Sequence, residues 1–261
     1  MELGLADRAC VITGGSGGIG RATAKRLCAE GARVLLVGRS EDHLAEAARD
    51  CGGAQWLAAD ITVADAGERV VAECLKRFGR LDVLVNSAGM SSHRPLAELA
   101  DDDYRAHWEL HVMAPMRLMR AAIPAMVKSG WGRVVNVSST SGKRPSQTNV
   151  AYSVSKAAVL SLSRAYADAY AREGVLVNAV TPGPIGDDLW LAPGGLADQI
   201  AQGTASTRQD VLEASASGLP IRRLGEADEV AAVIVFLCSQ AASNVVGAAW
   251  SVDGGAVPVI I

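Results

Sequence analysis

The sequence predicts one α/β domain over residues 1–261, a parallel sheet with helices on both faces. Three observations predict it. Short β-branched or aliphatic runs alternate along the chain with longer stretches whose apolar residues recur at helical spacing. A glycine-rich run closes the first of the short runs and opens the first of the long ones. No Pro/Gly/Ser-rich linker, internal repeat or low-complexity tract divides the chain.

The strand expectations fall at 9–13, 33–37, 55–59, 83–86, 133–138, 176–181 and 248–252. Helical patterns between them include 19–30, 64–78 and 151–172. Gly31, Gly79 and Gly174 follow those three runs and suit left-handed helix C-caps. Asp101, Asp102 and Asp103 precede a further helical pattern. They read as capping and dipole-complementing carboxylates, with a metal site as the other reading. Residues 184–220 leave the alternation with two aspartates, a tryptophan, several glycines and a Ser/Thr cluster. That stretch is expected to cross over the sheet as a lid above a ligand.

Hydrophobic residues make up 49% of the chain and charged ones 20%, which suits a sheet buried on both faces and a subunit interface. The formal net charge of −3 gives no basic footprint for nucleic acid. The opening MELGLADRACVITGG lacks the basic n-region and long apolar run of a signal peptide, and no run reaches the roughly 18 apolar residues of a membrane span. Cys10, Cys28, Cys51, Cys74 and Cys238 are scattered and lack CxxC spacing. They read as small buried residues in a reducing cytoplasm, and no metal site is expected.

Thr13-Gly14-Gly15-Ser16-Gly17-Gly18-Ile19-Gly20 sits at the strand-to-helix junction. Glycines there let the chain turn sharply and bring backbone N–H groups to a pyrophosphate, while the helix N-terminus behind favours the anion. Two frames fit, Gly15-x-Gly17-x-x-Gly20 and Gly14-x-x-x-Gly18-x-Gly20, and spacing does not choose between them. The second strand ends Val37-Gly38-Arg39-Ser40. A site for NAD normally places a carboxylate near this point for the ribose 2′-hydroxyl. Arg39 instead suits a 2′-phosphate, so NADP(H) is the expected cofactor; the alternative is a solvated loop arginine.

Tyr152 and Lys156, four residues apart, share a helix face. At about 4 Å and an effective dielectric near 20, an ammonium favours the phenolate by at most roughly 4 kcal/mol, about three pKa units. Tyr152 would then serve as an acid–base group near neutrality. Ser139 follows the fifth strand run, and Asn86-Ser87-Ala88-Gly89 ends the fourth. Both lie where carboxyl ends of parallel strands bind ligands, and a hydroxyl there can donate to a carbonyl as charge develops on it.

Over nearly its full length the chain resembles the short-chain dehydrogenase/reductases. The resemblance is carried by TGGSGGIG at 13–20, Asp60-Ile61, NSAG at 86–89, VNVSS ending in Ser139, YSVSK at 152–156, VNAVTPGPI at 177–185 and VDGG at 252–255. LPIRRLGEADEVA at 219–231 and FLCS at 236–239 resemble the 3-oxoacyl-acyl-carrier-protein reductase-like members. The resemblance implies a Rossmann-type three-layer sandwich with a seven-stranded parallel sheet. It selects the Gly14/Gly18/Gly20 frame and implies cofactor contacts from Gly14, Ser16, Gly18, Ile19, Gly20, Arg39, Asp60, Ile61, Asn86, Ala88, Gly89, Pro182, Gly183 and Ile185. It makes Ser139 the group that polarises the substrate carbonyl and Tyr152 the proton donor. Lys156 would bind the nicotinamide ribose and lower the Tyr152 pKa. A homotetramer built through the long central helices and the C-terminal segment is also implied, with the apolar tail 257–261 suited to that burial.

Three positions depart from the family pattern. His111 stands where the family has a catalytic asparagine, and either keeps the proton relay or merely packs its helix. Gly186 stands where a threonine often holds the nicotinamide carboxamide, with Asp187 as the available substitute. Gly130 and Glu173 fall where carrier-protein reductases tend to be basic beside the active-site entrance. The expected activity is ketone–secondary alcohol interconversion on a small-molecule carbonyl or alcohol substrate. It is first a 3-oxoacyl-type ketoreduction of a carrier- or CoA-bound acyl group, and otherwise acts on a sterol-like, sugar or secondary-metabolite alcohol. A catalytically silent NADP-binding protein is the rival from outside enzymology. Trp190 and Leu191 would line an apolar substrate site or anchor the lid.

Overall fold

A computed structural model describes residues 2–258. Seven strands form one parallel sheet: β1 (Ala9–Thr13), β2 (Arg33–Gly38), β3 (Gln55–Ala58), β4 (Val83–Asn86), β5 (Gly132–Val137), β6 (Val175–Pro182) and β7 (Ala249–Val252), in the order β3-β2-β1-β4-β5-β6-β7. Every neighbouring pair is parallel. The chain leaves β1 towards β2 on one side and returns to β4 on the other. A crevice therefore opens where Thr13 and Asn86 pair at the strands' carboxyl ends. Each strand keeps its expected place, with ends shifted by no more than about a residue, within the usual uncertainty of such boundaries.

The side-chain alternation of the strands divides the core into two layers. Cys10, Ile12, Val34, Leu36, Val83, Val85, Val135 and Val180 face one side. There they meet Ala24 and Leu27 of α1 (Gly18–Ala29), Leu44 and Ala47 of α2 (Glu41–Asp50), and Val230 and Ile234 of α10 (Ala227–Cys238). Val11, Leu35, Val37, Leu84, Val134 and Val177 face the other. Their partners are Val70 and Cys74 of α3 (Ala66–Phe78), Leu118, Met119 and Ile123 of α5 (Ala114–Ser129), and Ala167 of α6 (Val150–Tyr170). Gly31, Gly79 and Gly174 adopt φ of 79°, 74° and 83°, the left-handed conformation expected after their helices.

The amino end of the sheet is pinned by an ion cluster that sequence patterns did not reveal. Buried Asp82 accepts from Arg8 Nη1 at 3.0 Å, from Arg80 Nε at 2.6 Å and from the Ala9 amide at 2.9 Å. Its carboxylate thus satisfies a strand-end N–H while two arginines supply the counter-charge.

The three aspartates begin α4 (Asp101–Trp108), where Asp103 Oδ2 accepts from the Ala100 amide at 2.8 Å, a capping contact. Between α4 and α5 the chain takes five residues of π-type helix, Glu109–Met113. The 184–220 excursion holds three short helices, α7 (Asp188–Leu191), α8 (Leu196–Thr204) and α9 (Arg208–Ser217). Ala197, Ala201 and Val211 make a small core there with Trp190, Ile200 and Leu212. Residues 259–261 of the expected apolar tail lie outside the described residues.

Candidate active site

A cavity of about 850 Å³ lies over the carboxyl ends of β1, β4, β5 and β6, roofed by the lid. At one end is the glycine turn. Gly14 has φ 67° and Gly18 φ 46°. A Cβ on Gly14 would stand 2.8 Å from the Ala88 Cα, and one on Gly20 would stand 2.2 Å from the Gly14 carbonyl oxygen. Positions 14, 18 and 20 thus tolerate no side chain, in agreement with the Gly14/Gly18/Gly20 frame. The turn is held from behind by Thr13, whose Oγ1 accepts from the Ser87 and Ala88 amides at 3.2 Å each.

Arg39 is exposed at the cavity edge. Asp60, following β3, accepts from the Thr62 amide at 2.9 Å and the Thr62 hydroxyl at 2.7 Å. These bonds, with the Arg39 charge nearby, hold its carboxyl below the usual range.

Ser139 and Tyr152 meet at the deep end of the cavity. Ser139 Oγ accepts from the Ser141 amide at 3.1 Å, which orients the hydroxyl at the end of β5. Lys156 Nζ lies 5.5 Å from the centre of the Tyr152 ring and donates to the Val137 carbonyl at 2.9 Å. Burial pushes the Tyr152 phenol up to about 12, against a downward pull from Ser139 and with an upward push from Asp187. Burial also brings the Lys156 ammonium down to about 7. The downward pull on Tyr152 comes from Ser139, with none resolved from Lys156. Both groups are withdrawn from water, each favours its neutral form, and the lysine's proton is committed to a backbone carbonyl.

The structure brings every expected cofactor residue to this cavity except Asn86. Its Nδ2 turns inward to donate to Asn136 Oδ1 at 2.7 Å, and Asn136 in turn donates to Ser163 Oγ at 2.9 Å. His111 is also behind the cavity rather than in it. Its ring packs edge-on to Tyr152 at 5.4 Å. Nε2 accepts from the Met90 amide at 3.1 Å, so the ring is neutral with its proton on Nδ1, 2.9 Å from Ser155 Oγ. Burial and the Lys156 charge hold its pKa well below the ordinary histidine value. Both nitrogens have partners within the protein, and the imidazole ties the Met90 loop to α6. The π-type stretch that contains it has no sequence signal, because the extra residue per turn answers to packing.

Gly130 and Glu173 lie before β5 and β6, at the amino edge of the sheet, and neither lines the cavity. Trp190 lines the cavity and joins the lid core as well, whereas Leu191 does neither. Sequence reading passed over Asn149, whose Nδ2 donates to Ser91 Oγ at 2.7 Å on the cavity wall. An asparagine directly before a helical run was the available signal.

A family model described as Enoyl-(Acyl carrier protein) reductase matches residues 14–257. The chain belongs to the short-chain dehydrogenase/reductase family. Relatives of this family member include cis-4-hydroxycyclohexanecarboxylate dehydrogenase of Sinomonas cyclohexanicum, 38% identical with 98% of each chain covered. Another is the 3-oxoacyl-acyl-carrier-protein reductase of Thermotoga maritima, 32% identical over 97% of this chain and 99% of that one. Among solved structures, L-sorbose reductase of Gluconobacter frateurii in complex with NADPH and L-sorbose superimposes with a TM-score of 0.92 at 34% identity, covering 100% of both chains. These relatives are oxidoreductases of alcohol and ketone groups, and the family supports that class of chemistry here. No helix among the described residues is long and apolar enough to cross a membrane.

Proposed function

We propose that this chain is an NADP(H)-dependent oxidoreductase that interconverts a ketone and a secondary alcohol. One observation carries the reading: Ser139, Tyr152 and Lys156 share a cavity with a side-chain-free glycine turn and an exposed Arg39. The cradle fits a dinucleotide, since Gly14, Gly18 and Gly20 leave backbone open at the start of α1, and Arg39 stands at the 2′-phosphate end. Binding of NADPH by the L-sorbose reductase supports the same cofactor.

When bound, the cofactor supplies or accepts a hydride. The chain's own residues do the rest. Ser139 donates a hydrogen bond to the substrate oxygen, and the Tyr152 hydroxyl carries the proton delivered to it. Lys156 places a cation beside the phenol when protonated, and the lid with Trp190 keeps water out.

The substrate class favoured is a compact ketone or alcohol. Ser91, Asn149 and Ser141 offer neutral polar groups, and Arg39 is the permanent cation on the cavity wall. A 3-oxoacyl thioester is the second reading, favoured by the relatedness to the Thermotoga maritima enzyme. A cytoplasmic homotetramer belongs to the proposal, with Trp108 and Val154 as exposed apolar groups available to an interface. The test is NADPH consumption against a panel of cyclic ketones, ketoses and 3-oxoacyl thioesters, repeated with Tyr152→Phe. Turnover abolished by that change supports the reading; turnover that survives it, or none with any ketone, overturns it.

A further inference from the structure

Asn149 stands directly before α6, yet its side chain caps none of that helix's amides. Asparagine at such a position ordinarily bonds the helix's own backbone. Here Nδ2 donates instead to Ser91 Oγ at 2.7 Å, on the cavity wall. Asn149 is three residues ahead of Tyr152, a spacing that brings both side chains to one side of the first helical turn.

The bond leaves each partner half used. Among the described residues nothing takes the Ser91 hydroxyl proton, and nothing donates to Asn149 Oδ1, which stays accessible rather than sealed. One donor and one acceptor therefore remain side by side. Turning the amide over exchanges their owners and leaves the same count.

The loop that carries Ser91 is fixed before any ligand arrives. Its Met90 amide donates to His111 Nε2 at 3.1 Å, its His93 amide to Gln199 Oε1 of α8 at 2.9 Å, and its Arg94 amide to the Thr148 carbonyl at 2.9 Å. The last bond joins the loop to the turn that holds Asn149, so backbone sets the two side chains against each other. Arg94 Nη1 bonds both oxygens of Asp103 at 3.0 Å, which takes up this loop's arginine.

We propose that Ser91 and Asn149 are specificity residues that recognise a hydroxyl within two carbons of the reacting carbon. The substrate is then a hydroxy ketone, or a diol in the reverse direction. The inference rests on the ketone–alcohol reading above and names its substrate class. A hydroxyl both gives and takes a hydrogen bond: it accepts from Ser91 and donates to Asn149 Oδ1. A methylene in its place strands both protein groups, and an ether leaves the amide oxygen unpaired. A carboxylate would meet that oxygen with like charge. With the carbonyl held by Ser139 and Tyr152, a second held oxygen fixes the molecule at two points and orients the reacting carbon.

The test compares kcat/KM with NADPH for acetone, hydroxyacetone and methoxyacetone, and for cyclohexanone with its 2- and 3-hydroxy and methoxy derivatives. In at least one series the hydroxy ketone should exceed both its parent and its methyl ether by about tenfold or more, the effect of pairing groups otherwise left unpaired. The ether controls for the electron withdrawal that also speeds hydride addition. In Ser91→Ala and in Asn149→Leu the ratio of hydroxy ketone to parent should fall by roughly tenfold. Both rates in a ratio come from one variant, so general damage to α6 or the lid cancels. A ratio unchanged by both substitutions, or a methyl ether as good as the hydroxy ketone in every series, overturns the hydroxyl subsite and leaves the ketone reductase standing. No turnover of any ketone overturns the parent reading and this proposal with it.

Discussion

The Asp187 carboxylate lies against Gly18: its Oδ2 is 2.6 Å from the point where a β-carbon on that glycine would stand. Asp188 Oδ2 is similarly 3.1 Å from the equivalent point on Gly17. The partial positive charge at the start of α1 attracts these carboxylates as it would a phosphate. The lid thus brings anions to the place where the proposed cofactor's diphosphate must sit. Burial, with Asp188 adding to it, raises the Asp187 pKa.

Asp187→Asn should therefore tighten NADPH binding by roughly fivefold, the equivalent of about 1 kcal/mol at a helix terminus. For the unsubstituted protein, affinity should fall as pH rises through the elevated Asp187 pKa, because ionisation adds repulsion. Calorimetric titration at several pH values checks both points. If Asp187→Asn leaves the affinity and its pH slope as they were, the lid carboxylate does not compete.

A phenol pushed up to about 12 keeps its proton through the neutral range. Ketone reduction, which consumes that proton, should hold its rate at neutral pH. Alcohol oxidation, which needs the phenolate, should climb as pH rises. Initial rates in both directions between pH 6 and about 10 test this, and Tyr152→Phe should lower both by at least ~100-fold while sparing cofactor binding.

Arg39→Ala should raise the KM for NADPH by roughly tenfold or more, as expected for loss of a charge-assisted phosphate contact, and leave that for NADH nearly unchanged. Steady-state kinetics with the two cofactors decides. Equal effects on both would assign Arg39 to the solvated edge.

Lys156 has a folded-state pKa of about 7, below its ordinary value of 10.5. Between those values the unfolded chain binds the extra proton, so this group makes stability rise with pH from 7 upwards. Below pH 7 both states hold the proton and the penalty for burying the charge is fully present. Denaturant unfolding at pH 7 and 9 should show the increase, and Lys156→Met should remove that part of it. An unchanged slope would refute the assignment.

His111→Ala strips the Met90 amide and Ser155 of their partner and should cost about 1–3 kcal/mol. His111→Asn should recover part of this. Because burial holds His111 neutral around its ordinary titration range, no step attributable to it should appear in the activity profile near neutral pH. Thermal unfolding and pH–rate profiles of both variants provide the check.

The strands were legible because β-branched runs such as Val83–Asn86 and Val175–Pro182 are buried from end to end and announce themselves by composition. The glycine turn was legible because a β-carbon at Gly20 would collide with backbone. Tyr152 and Ser139 could be placed by strand ends and helical spacing. The partners that govern their ionisation could not. The Lys156 bond to Val137 joins a helix to a strand 19 residues away, and the Asp82 cluster draws on two segments more than 70 residues apart. The sequence offers Asp187 as a substitute for the missing threonine, and only the folded lid shows its carboxylate against Gly18. Such contacts depend on how elements meet, and a local pattern carries no trace of that.

Thr13 ties the glycine turn to amides 74 and 75 residues further along the chain. On the ribosome, the nucleotide cradle therefore cannot assume its working shape when residues 13–20 emerge. It must wait until the fourth strand has left the exit tunnel and paired beside the first. A nascent N-terminal fragment holds the full glycine signature yet should have no purchase on a dinucleotide, and early ligand rescue of a translation-stalled chain should begin only after that docking event.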